Sequence, residues 1–215
     1  MTIKKGREWG HNSQRPSDLH VVANDFAASE KITQLLDASI TPINLAIIHS
    51  VMARALGIKG ANLESSTFLK TQFDLIQAIF TPVENRAAKN SDIESHRYFV
   101  GNAFIGKSRL HGVRIGVMNS SFDKKRDWAP RAHPNDGRLD VIEFQERIKF
   151  RQRMVAIRRM KSGTHLPHPN IRYHQATEYS ADCSEVPYLF IEGQNVGRIS
   201  SCRFVVVPDA VSLYW

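Results

Sequence analysis

Three histidines lie close together in "HLPHPNIRYH" (165–174) and are the first candidates for metal chemistry. His165 and His168 flank Pro167, and His174 follows in a predicted strand. Because the pair around Pro167 sits on no regular element, its spacing gives no common face on which imidazoles could converge on a metal ion. We therefore interpret these histidines as loop or strand-start residues. Ser, His and Asp are all present, but no G-x-S-x-G motif supports a hydrolase.

A single carboxylate, Asp136, stands in an Asn-Asp-Gly turn at 135–137 within "WAPRAHPNDGRLDVIEF" (128–144). Asn, Asp and Gly tolerate the positive φ angles that tight turns require. The alternating apolar residues of "LDVIEF" predict that a strand follows the turn. On these residues alone, a hairpin turn is the favoured interpretation.

The composition is that of an ordinary globular protein, with 42% hydrophobic and 23% charged residues in a chain of 215. No apolar run approaches the roughly 20 residues that span a bilayer. The basic start of the chain has no apolar segment after it, so no secretory signal is predicted and we expect a cytoplasmic protein. Cys183 and Cys202 are too few for a disulfide scaffold and have no histidine partners at zinc-ligand spacing, so we expect buried thiols.

One segment supplies most of the net charge of +8. Residues 145–161, "QERIKFRQRMVAIRRMK", contain seven Lys or Arg and one Glu, which gives +6. Three interpretations stay open for this predicted helix. It is a solvated helix that packs Ile148, Met154, Val155 and Ile157 on a sheet, a segment that binds an anionic membrane, or a nucleic-acid contact without an aromatic platform.

The elements that must position these residues fall into two parts. Residues 1–60 follow the order strand, helix, strand, helix, which predicts a small α/β segment. Residues 61–215 contain short apolar strands separated by turn signals, which is typical of a β-sandwich or Greek-key sheet. The predicted fold class is α+β, with a truncated α/β segment followed by a mostly antiparallel, sandwich-like domain that contains one basic helix.

The last hundred residues resemble the C-terminal half of the diacylglycerol kinase and lipid kinase family, which includes the sphingosine kinases. The motifs that carry the resemblance come in family order: "VRIGVMN", "APRAHPNDGRLDVIEF", "GTHLPHPNI", "LFIEGQ" and "VVVPDAVSLYW". Together they cover about residues 112–215, and the Asp-Gly motif is the most specific of them. Weaker similarities lie in "ARALGI", near the end of the family's nucleotide-loop helix, and in "FDLI", near its "iDlg" strand.

The resemblance implies roles for several residues. In the family the Asp-Gly turn holds Mg²⁺, which implies Asp136 as the carboxylate ligand and the carbonyls of His133 and Arg138 as neighbours. Arg131 and Arg138 become candidates for phosphate contact, because they are cationic and flank the turn. The family's "DGE" turn corresponds to Glu192-Gly193-Gln194, which implies that Gln194 occupies the position of the general base and that Glu192 is its substitute.

The sequence departs from the family at three places that phosphoryl transfer uses. It lacks the Gly-rich "GGDGT" phosphate turn, and Val51 stands where the second loop has an Asp. Gln194 cannot accept a proton at neutral pH. Mg²⁺ and ATP are therefore the expected cofactors only if the protein is active, and the departures favour a pseudoenzyme.

The favoured hypothesis is a bacterial diacylglycerol kinase-like protein that binds lipid or lipid phosphate, at the inner membrane face, through the basic helix 145–161. ATP-dependent phosphorylation of a lipid hydroxyl is the activity that the resemblance implies. The alternatives are a non-catalytic peripheral-membrane or partner-binding module that uses Arg147, Arg151, Arg158 and Arg159, and then a nucleic-acid binder. The sequence leaves open whether the chain forms a homo-oligomer or receives a phosphate loop from another chain.

Overall fold

The computed structural model describes residues 10–53, 57, 58, 60–83, 94–110 and 112–215. Its strands are β1 (His11–Ser13), β2 (His20–Asn24), β3 (Ile43–His49), β4 (Phe68–Pro82), β5 (Ser95–Phe99), β6 (Asn102–Gly106), β7 (Val113–Met118), β8 (Phe122–Asp123), β9 (Arg126–Asp127), β10 (Leu139–Phe144), β11 (Ile171–Ala176), β12 (Glu178–Ala181), β13 (Tyr188–Ile191) and β14 (Gln194–Tyr214). Its helices are α1 (Asp25–Asp37) and α2 (Phe150–Arg159). The α+β fold class, with a mostly antiparallel, sandwich-like arrangement, is confirmed.

The α/β segment forms as the pattern predicts. Asn24 caps α1 by accepting the Ala27 N–H, and the helix buries Ala28, Ile32 and Leu35 at helical spacing. Strands β2 and β3 are parallel. The predicted second helix, 51–57, includes residues 54–56, which lie outside the described ranges.

Strand β3 continues into the β-rich part, because it pairs in parallel with Val211–Leu213 of β14. Along its length β14 also pairs with β4, β12 and β13. The α/β segment and the β-rich part therefore share one sheet. The boundary between them near residue 60 stays a prediction.

Strands β13, β6, β7, β10 and β11 form a second layer in that order. Strands β1 and β5 pair with β4 in the first sheet, and β8 and β9 form a separate two-stranded sheet. The core between the two layers includes Ile76, Phe99, Val141, Leu189 and Phe204. A second core lies under α1, and a third packs α2 on the outer layer around Trp128.

Two predicted strand boundaries are wrong. "RYFVGNAFI" is two strands, because the chain turns at Val100-Gly101 and β5 and β6 pair with different partners. "RFVVVP" and "VSLYW" belong to one strand, β14, in which the register shifts between Val207 and Val211. Asp209 at φ 52° supplies the bulge, and Pro208 is tolerated there.

The basic helix α2 begins at Phe150, and a 3-10 turn at Met160–Ser162 extends it to Gly163. Ile148 and Ile157 are buried, as the solvated-helix interpretation expects, and Met154 is half-buried. Ala156, which that interpretation did not include, is also buried. The same interpretation is wrong for Val155, which is 50% exposed, and Phe150 is 70% exposed. The helix thus presents apolar as well as cationic side chains on its outer face.

Candidate functional site around the Asp-Gly turn

The Asp-Gly turn is not a hairpin. Strand β9 before it pairs with β8, while β10 after it pairs with β7 and β11. The hairpin interpretation is therefore wrong. The chain enters the turn from buried Trp128 and Ala129, whose N–H groups both donate to the carbonyl of Ser121.

Asp74, on β4, holds the turn in place. One carboxylate oxygen accepts the Gly137 N–H at 2.7 Å, and the other accepts the Asp209 N–H at 2.8 Å. The Asp74 N–H donates to the Pro134 carbonyl at 2.8 Å. Asp74 is 2% exposed, and burial raises the pKa of its carboxyl. The sequence assigned no role to this residue, and the similarity of "FDLI" to a family strand was the signal that could have found it.

Asn119, at the end of β7, connects this turn to a second one. Its side-chain amide donates to the carbonyls of Asp74 and Val100, both at 2.9 Å. Its backbone N–H donates to the Gly101 carbonyl at 2.8 Å. The Asp-Gly turn and the Val100-Gly101 turn therefore lie side by side, joined by one buried amide.

Asp136 is half-buried at the edge of the Asp-Gly turn. Its Oδ1 accepts the Arg138 N–H at 3.0 Å, and its Oδ2 lies 3.5 Å from Nε2 of Gln175. Burial raises the pKa of Asp136. Behind it, burial raises the pKa of Asp140 to about 6, although the hydroxyl of Tyr173 donates to that carboxyl.

His133 and Arg138 flank this carboxylate, as the sequence predicts. The His133 ring accepts the Asn135 N–H at Nδ1, and burial lowers the pKa of His133. The Arg138 side chain is exposed. One half-buried carboxylate with a weakly engaged oxygen fits a hydrated Mg²⁺, which keeps several waters. Among the described residues, no three His, Cys, Asp or Glu side chains group to hold a metal ion. The metal roles of Asp136, His133 and Arg138 stay predictions.

The side chain of Glu192 binds the Val100-Gly101 turn through hydrogen bonds. Its backbone has φ 47°, and its Oε1 accepts the N–H groups of Val100 at 3.0 Å and Gly101 at 2.7 Å. A Cβ on residue 101 would lie 2.8 Å from Oε2, so any larger residue there would force the Glu192 carboxyl to move. Gln194, by contrast, is exposed at the start of β14. The catalytic roles of Glu192 and Gln194 stay predictions.

A second buried carboxyl, Asp25, interacts electrostatically with Glu192. Burial and the nearby Asp25 raise the pKa of Glu192 to about 8. Burial also raises the pKa of Asp25, whose Oδ1 has no hydrogen-bond partner among the described residues. We missed Asp25 in the sequence, since an Asp in the first turn of a helix is normally interpreted as a helix-dipole partner.

The turns of the α/β segment do not form a phosphate cradle in their described part. The Ala27 N–H is bonded to Asn24, the Val51 N–H to Asp25, and the Ala53 N–H to Ser50. These N–H groups are occupied by the protein's own side chains, and the Asp25 carboxyl would repel a phosphate. The described residues therefore do not fit the triphosphate of ATP.

The three clustered histidines do not converge on one point. His165 is buried and its Nε2 is 3.0 Å from the Trp128 carbonyl, so it fixes the loop before the Asp-Gly turn. His168 accepts the Asn170 N–H, and His174 contacts the ring of Tyr179. Arg131 is exposed and lies near the Tyr173 hydroxyl.

Comparison with known proteins places the chain among lipid-kinase-like folds. The model of the YegS C-terminal NAD kinase beta sandwich-like domain matches residues 96–215. A diacylglycerol kinase from Bacillus anthracis str. Sterne shares the fold with a TM-score of 0.57 and 14% identity, over 92% of this chain and 76% of that one. Two further structures from that organism give TM-scores of 0.58 at 14% identity, over 92% of this chain and 78% of theirs. No curated protein matches the chain in sequence.

Proposed function

Because the chain belongs to the YegS C-terminal NAD kinase beta sandwich-like domain family over residues 96–215, we propose that it is a lipid-kinase-family protein that binds a lipid or lipid phosphate. The observation that carries the proposal is the joined pair of turns. Asp74 and Asn119 hold the Asp-Gly turn beside the Val100-Gly101 turn, to which Glu192 is bonded, and Glu192 interacts with Asp25. We call Asp136, Glu192 and Asp25 together the acidic strip.

This strip suits a polyol lipid headgroup. Carboxyl and amide oxygens accept hydrogen bonds from hydroxyl groups, and buried acceptors select strongly for a donor. A lipid phosphate would bind at the Arg131 and Arg138 end, where guanidinium groups can form charge-assisted hydrogen bonds. If Mg²⁺ binds, Asp136 and the carbonyls beside it would hold it, and the ion would neutralise the phosphate charge.

Binding is the proposed function because the described turns do not accommodate ATP. Three N–H groups of those turns, on Ala27, Val51 and Ala53, are already bonded to side chains of the protein and offer no donor to a nucleotide phosphate.

Phosphorylation of the lipid hydroxyl is the second candidate, and the position of Glu192 favours it. A carboxyl with a pKa of about 8, fixed by two backbone N–H groups, is ionised in a minor fraction at neutral pH, and that fraction, which grows as pH approaches 8, can accept a proton from a hydroxyl. This candidate requires that another chain or a further segment supply the phosphate-binding groups.

We further propose that α2 holds the protein on an anionic membrane. Six cations are exposed on or beside the helix: Arg147, Lys149, Arg151, Arg158, Arg159 and Lys161. None of them forms an ion pair with a described carboxylate. The seventh cation, Arg153, donates a hydrogen bond to the Val113 carbonyl and stacks on the Phe144 ring. Each cation near an anionic surface contributes about 1 kcal/mol, and exposed Phe150 and Val155 can enter the headgroup region. No helix among the described residues has the length and apolarity to cross a bilayer.

Vesicle sedimentation tests the proposal. We expect binding to phosphatidylcholine vesicles that contain phosphatidate, weakening as salt rises, and no binding to pure phosphatidylcholine. The double variant Arg151→Glu/Arg158→Glu should reduce binding at least about tenfold. The control Lys31→Glu/Lys70→Glu makes the same charge change away from α2 and should leave binding unchanged.

Two outcomes would reject the proposal. Equal binding to both kinds of vesicle would show that binding does not require an anionic lipid. Tight binding to DNA or RNA with a steep salt dependence would favour a nucleic-acid partner. Diacylglycerol in mixed micelles tests the second candidate. ATP-dependent phosphorylation of this lipid, lost in Asp136→Asn and Glu192→Gln, would make lipid phosphorylation the favoured function in place of binding alone.

A further inference from the structure

A pocket of about 410 Å³ opens beside the end of α2. Its apolar wall is formed by Pro130, Leu166, Pro167 and Ile171, and the Tyr173 ring lies among them. This volume and lining lie in the range of small-ligand sites, which are mostly apolar with a few polar groups. None of the acidic-strip carboxyls lines the pocket, and Arg131 is the one described lining residue to which the proposed function assigns a role.

The polar groups of the pocket are cationic or hydrogen-bond donors. Arg131 lines it, is exposed, and forms no ion pair with a described carboxylate. His168 accepts the Asn170 N–H at Nδ1, so its neutral ring carries a proton on Nε2 that can be donated to a ligand. Two carboxyls lie nearby: Asp140 accepts the Tyr173 hydroxyl, and Asp127 lies against Gly163.

A slightly larger pocket, about 460 Å³, lies between β7, β10 and β11 and has different chemistry. Two of the three guanidinium groups in its described lining are paired: Arg114 with Glu146 and Asp182, and Arg172 with Glu143. The third, Arg147, donates to Gln145. Because the three carboxylates of the lining balance its three guanidinium groups, this pocket favours an anion less than the 410 Å³ pocket does.

We propose that the 410 Å³ pocket receives one acyl chain of a lipid phosphate, with the phosphate bound at its rim by Arg131 and His168. The proposal rests on the lipid binding proposed above and assigns the chain and the phosphate to specific residues. Charge complementarity selects the occupant, because apolar walls with an unpaired guanidinium at the rim match a single-chain amphiphile with an anionic head.

The position of the pocket supports the same occupant. Gly163 lines it and directly follows the 3-10 turn that ends α2. With α2 lying on an anionic bilayer, the pocket mouth would face the headgroup region. A lipid could then enter with little exposure of its chain to water, which is the main cost of extracting it.

Calorimetric titration with dodecyl phosphate, below its aggregation concentration, tests the pocket. Pro130→Trp fills the mouth from an exposed position, and Leu166→Trp fills it from the wall. Each should weaken binding at least about tenfold, or about 1.4 kcal/mol. Arg131→Glu should weaken the affinity for dodecyl phosphate by a similar factor. It should leave the affinity for the neutral lipid monolaurin within about twofold of the wild-type value. The matched control, Lys31→Glu on α1, should leave the affinity for both ligands unchanged.

Near-UV circular dichroism of each variant separates lost binding from lost folding, and Pro130→Trp decides the test if Leu166→Trp fails to fold. Inorganic phosphate should not compete with dodecyl phosphate. If it competes equally well, the site binds free phosphate and the acyl-chain proposal is overturned. If Pro130→Trp leaves the affinity for dodecyl phosphate unchanged and vesicle binding is retained, the acyl-chain pocket is rejected and the proposed function stands. Failure of the wild-type protein to bind either vesicles or dodecyl phosphate overturns the proposed function as well.

Discussion

At the scale of single residues, Asp74 and Asp136 have opposite relations to the same turn. Asp74 is buried and accepts two backbone N–H groups from distant parts of the chain. Asp136 is half-buried and accepts one backbone N–H, from Arg138 two residues away, and a long side-chain contact of 3.5 Å from Gln175. Asp74 should therefore determine the shape of the turn, and Asp136 its affinity for ligands.

Asp74→Asn should lower the free energy of unfolding by about 1–3 kcal/mol, because an amide can accept only one of the two N–H groups and turns a donor toward the other. Urea denaturation measures this loss. Asp136→Asn is the matched substitution and should cost less than about 1 kcal/mol. Equal losses in the two variants would contradict the assignment of Asp74 as the anchor.

Glu192 should make stability depend on pH. Its folded-state pKa of about 8 lies above the ordinary value of 4.5 for a Glu side chain, so the folded protein binds the proton more tightly than the unfolded chain. The stability that this proton contributes is present below about pH 4.5 and is lost as pH rises through about 8.

Glu192→Gln keeps an acceptor for the Val100 and Gly101 N–H groups without a titrating proton. The variant should match the wild type at pH 5 and exceed its stability by roughly 2 kcal/mol at pH 9, a value reduced because Asp25 titrates with Glu192. Thermal melts at the two pH values measure the difference. Glu30→Gln, an exposed control on α1, retains Glu192 and should therefore keep the pH dependence of the wild type.

At the scale of elements, the turn between β13 and β14 depends on a close contact. Gly193 has φ 82°, and a Cβ there would lie 2.6 Å from Nη2 of Arg109. That guanidinium is paired with the Asp123 carboxylate at 2.5 Å. A side chain at residue 193 would displace Arg109 and disturb the adjoining Glu192.

Gly193→Ala should therefore cost more than backbone strain alone, about 2–4 kcal/mol in unfolding free energy. Gly57→Ala is a suitable control, since Gly57 has φ 73° and no described atom lies within 4 Å of its Cβ position. It should cost about 1 kcal/mol. Similar values for both variants would mean that the Arg109 contact contributes nothing.

Most elements were predictable from periodicity and turn residues. Helix α1 and strands β3, β7, β10 and β11 were recognised because one side of each is apolar and turn residues bound it. The continuation of β14 through Pro208 was not predictable from the sequence, because Pro followed by Asp is a turn signal. The pairing of β14 with β4 on both sides of Pro208 is what makes this position a bulge within one strand. The Asp-Gly turn was predicted as a hairpin because its local residues are those of a hairpin turn. The strands on either side of it, β9 and β10, do not pair with each other, and only the tertiary structure shows this.

The candidate site was predictable only in part. Asp136, Glu192 and their neighbours stand in motifs of fixed local spacing, so a single sequence could identify them. Asp25, Asp74 and Asn119 act through contacts with residues far away in the chain. Their partners are fixed by the topology of the sheet, and no local pattern encodes that.

At the scale of the whole molecule, the two sequence-predicted parts should unfold together. Strand β14 pairs with β3 and also with β4, β12 and β13, and α1 covers the sheet that contains Phe73 and Leu213. Loss of either part would expose the core of the other.

Calorimetry should therefore show a single transition. Ile32→Ala, in α1, and Leu189→Ala, in β13, should each cost about 2–5 kcal/mol and lower the same transition midpoint. Two separate transitions, each sensitive to only one of these substitutions, would instead establish residues 1–60 and 61–215 as independent units.

The parallel pairing of β3 with β14 also constrains synthesis. Leu45 and Leu213, which face each other in the register, are 213 − 45 = 168 positions apart. At roughly 5–20 residues per second, a ribosome needs about 8–34 s to travel between them. Throughout that interval β3 has an apolar, unpaired edge in the nascent chain, and such an edge is a target for aggregation. We expect the newborn polypeptide to need a chaperone during this interval.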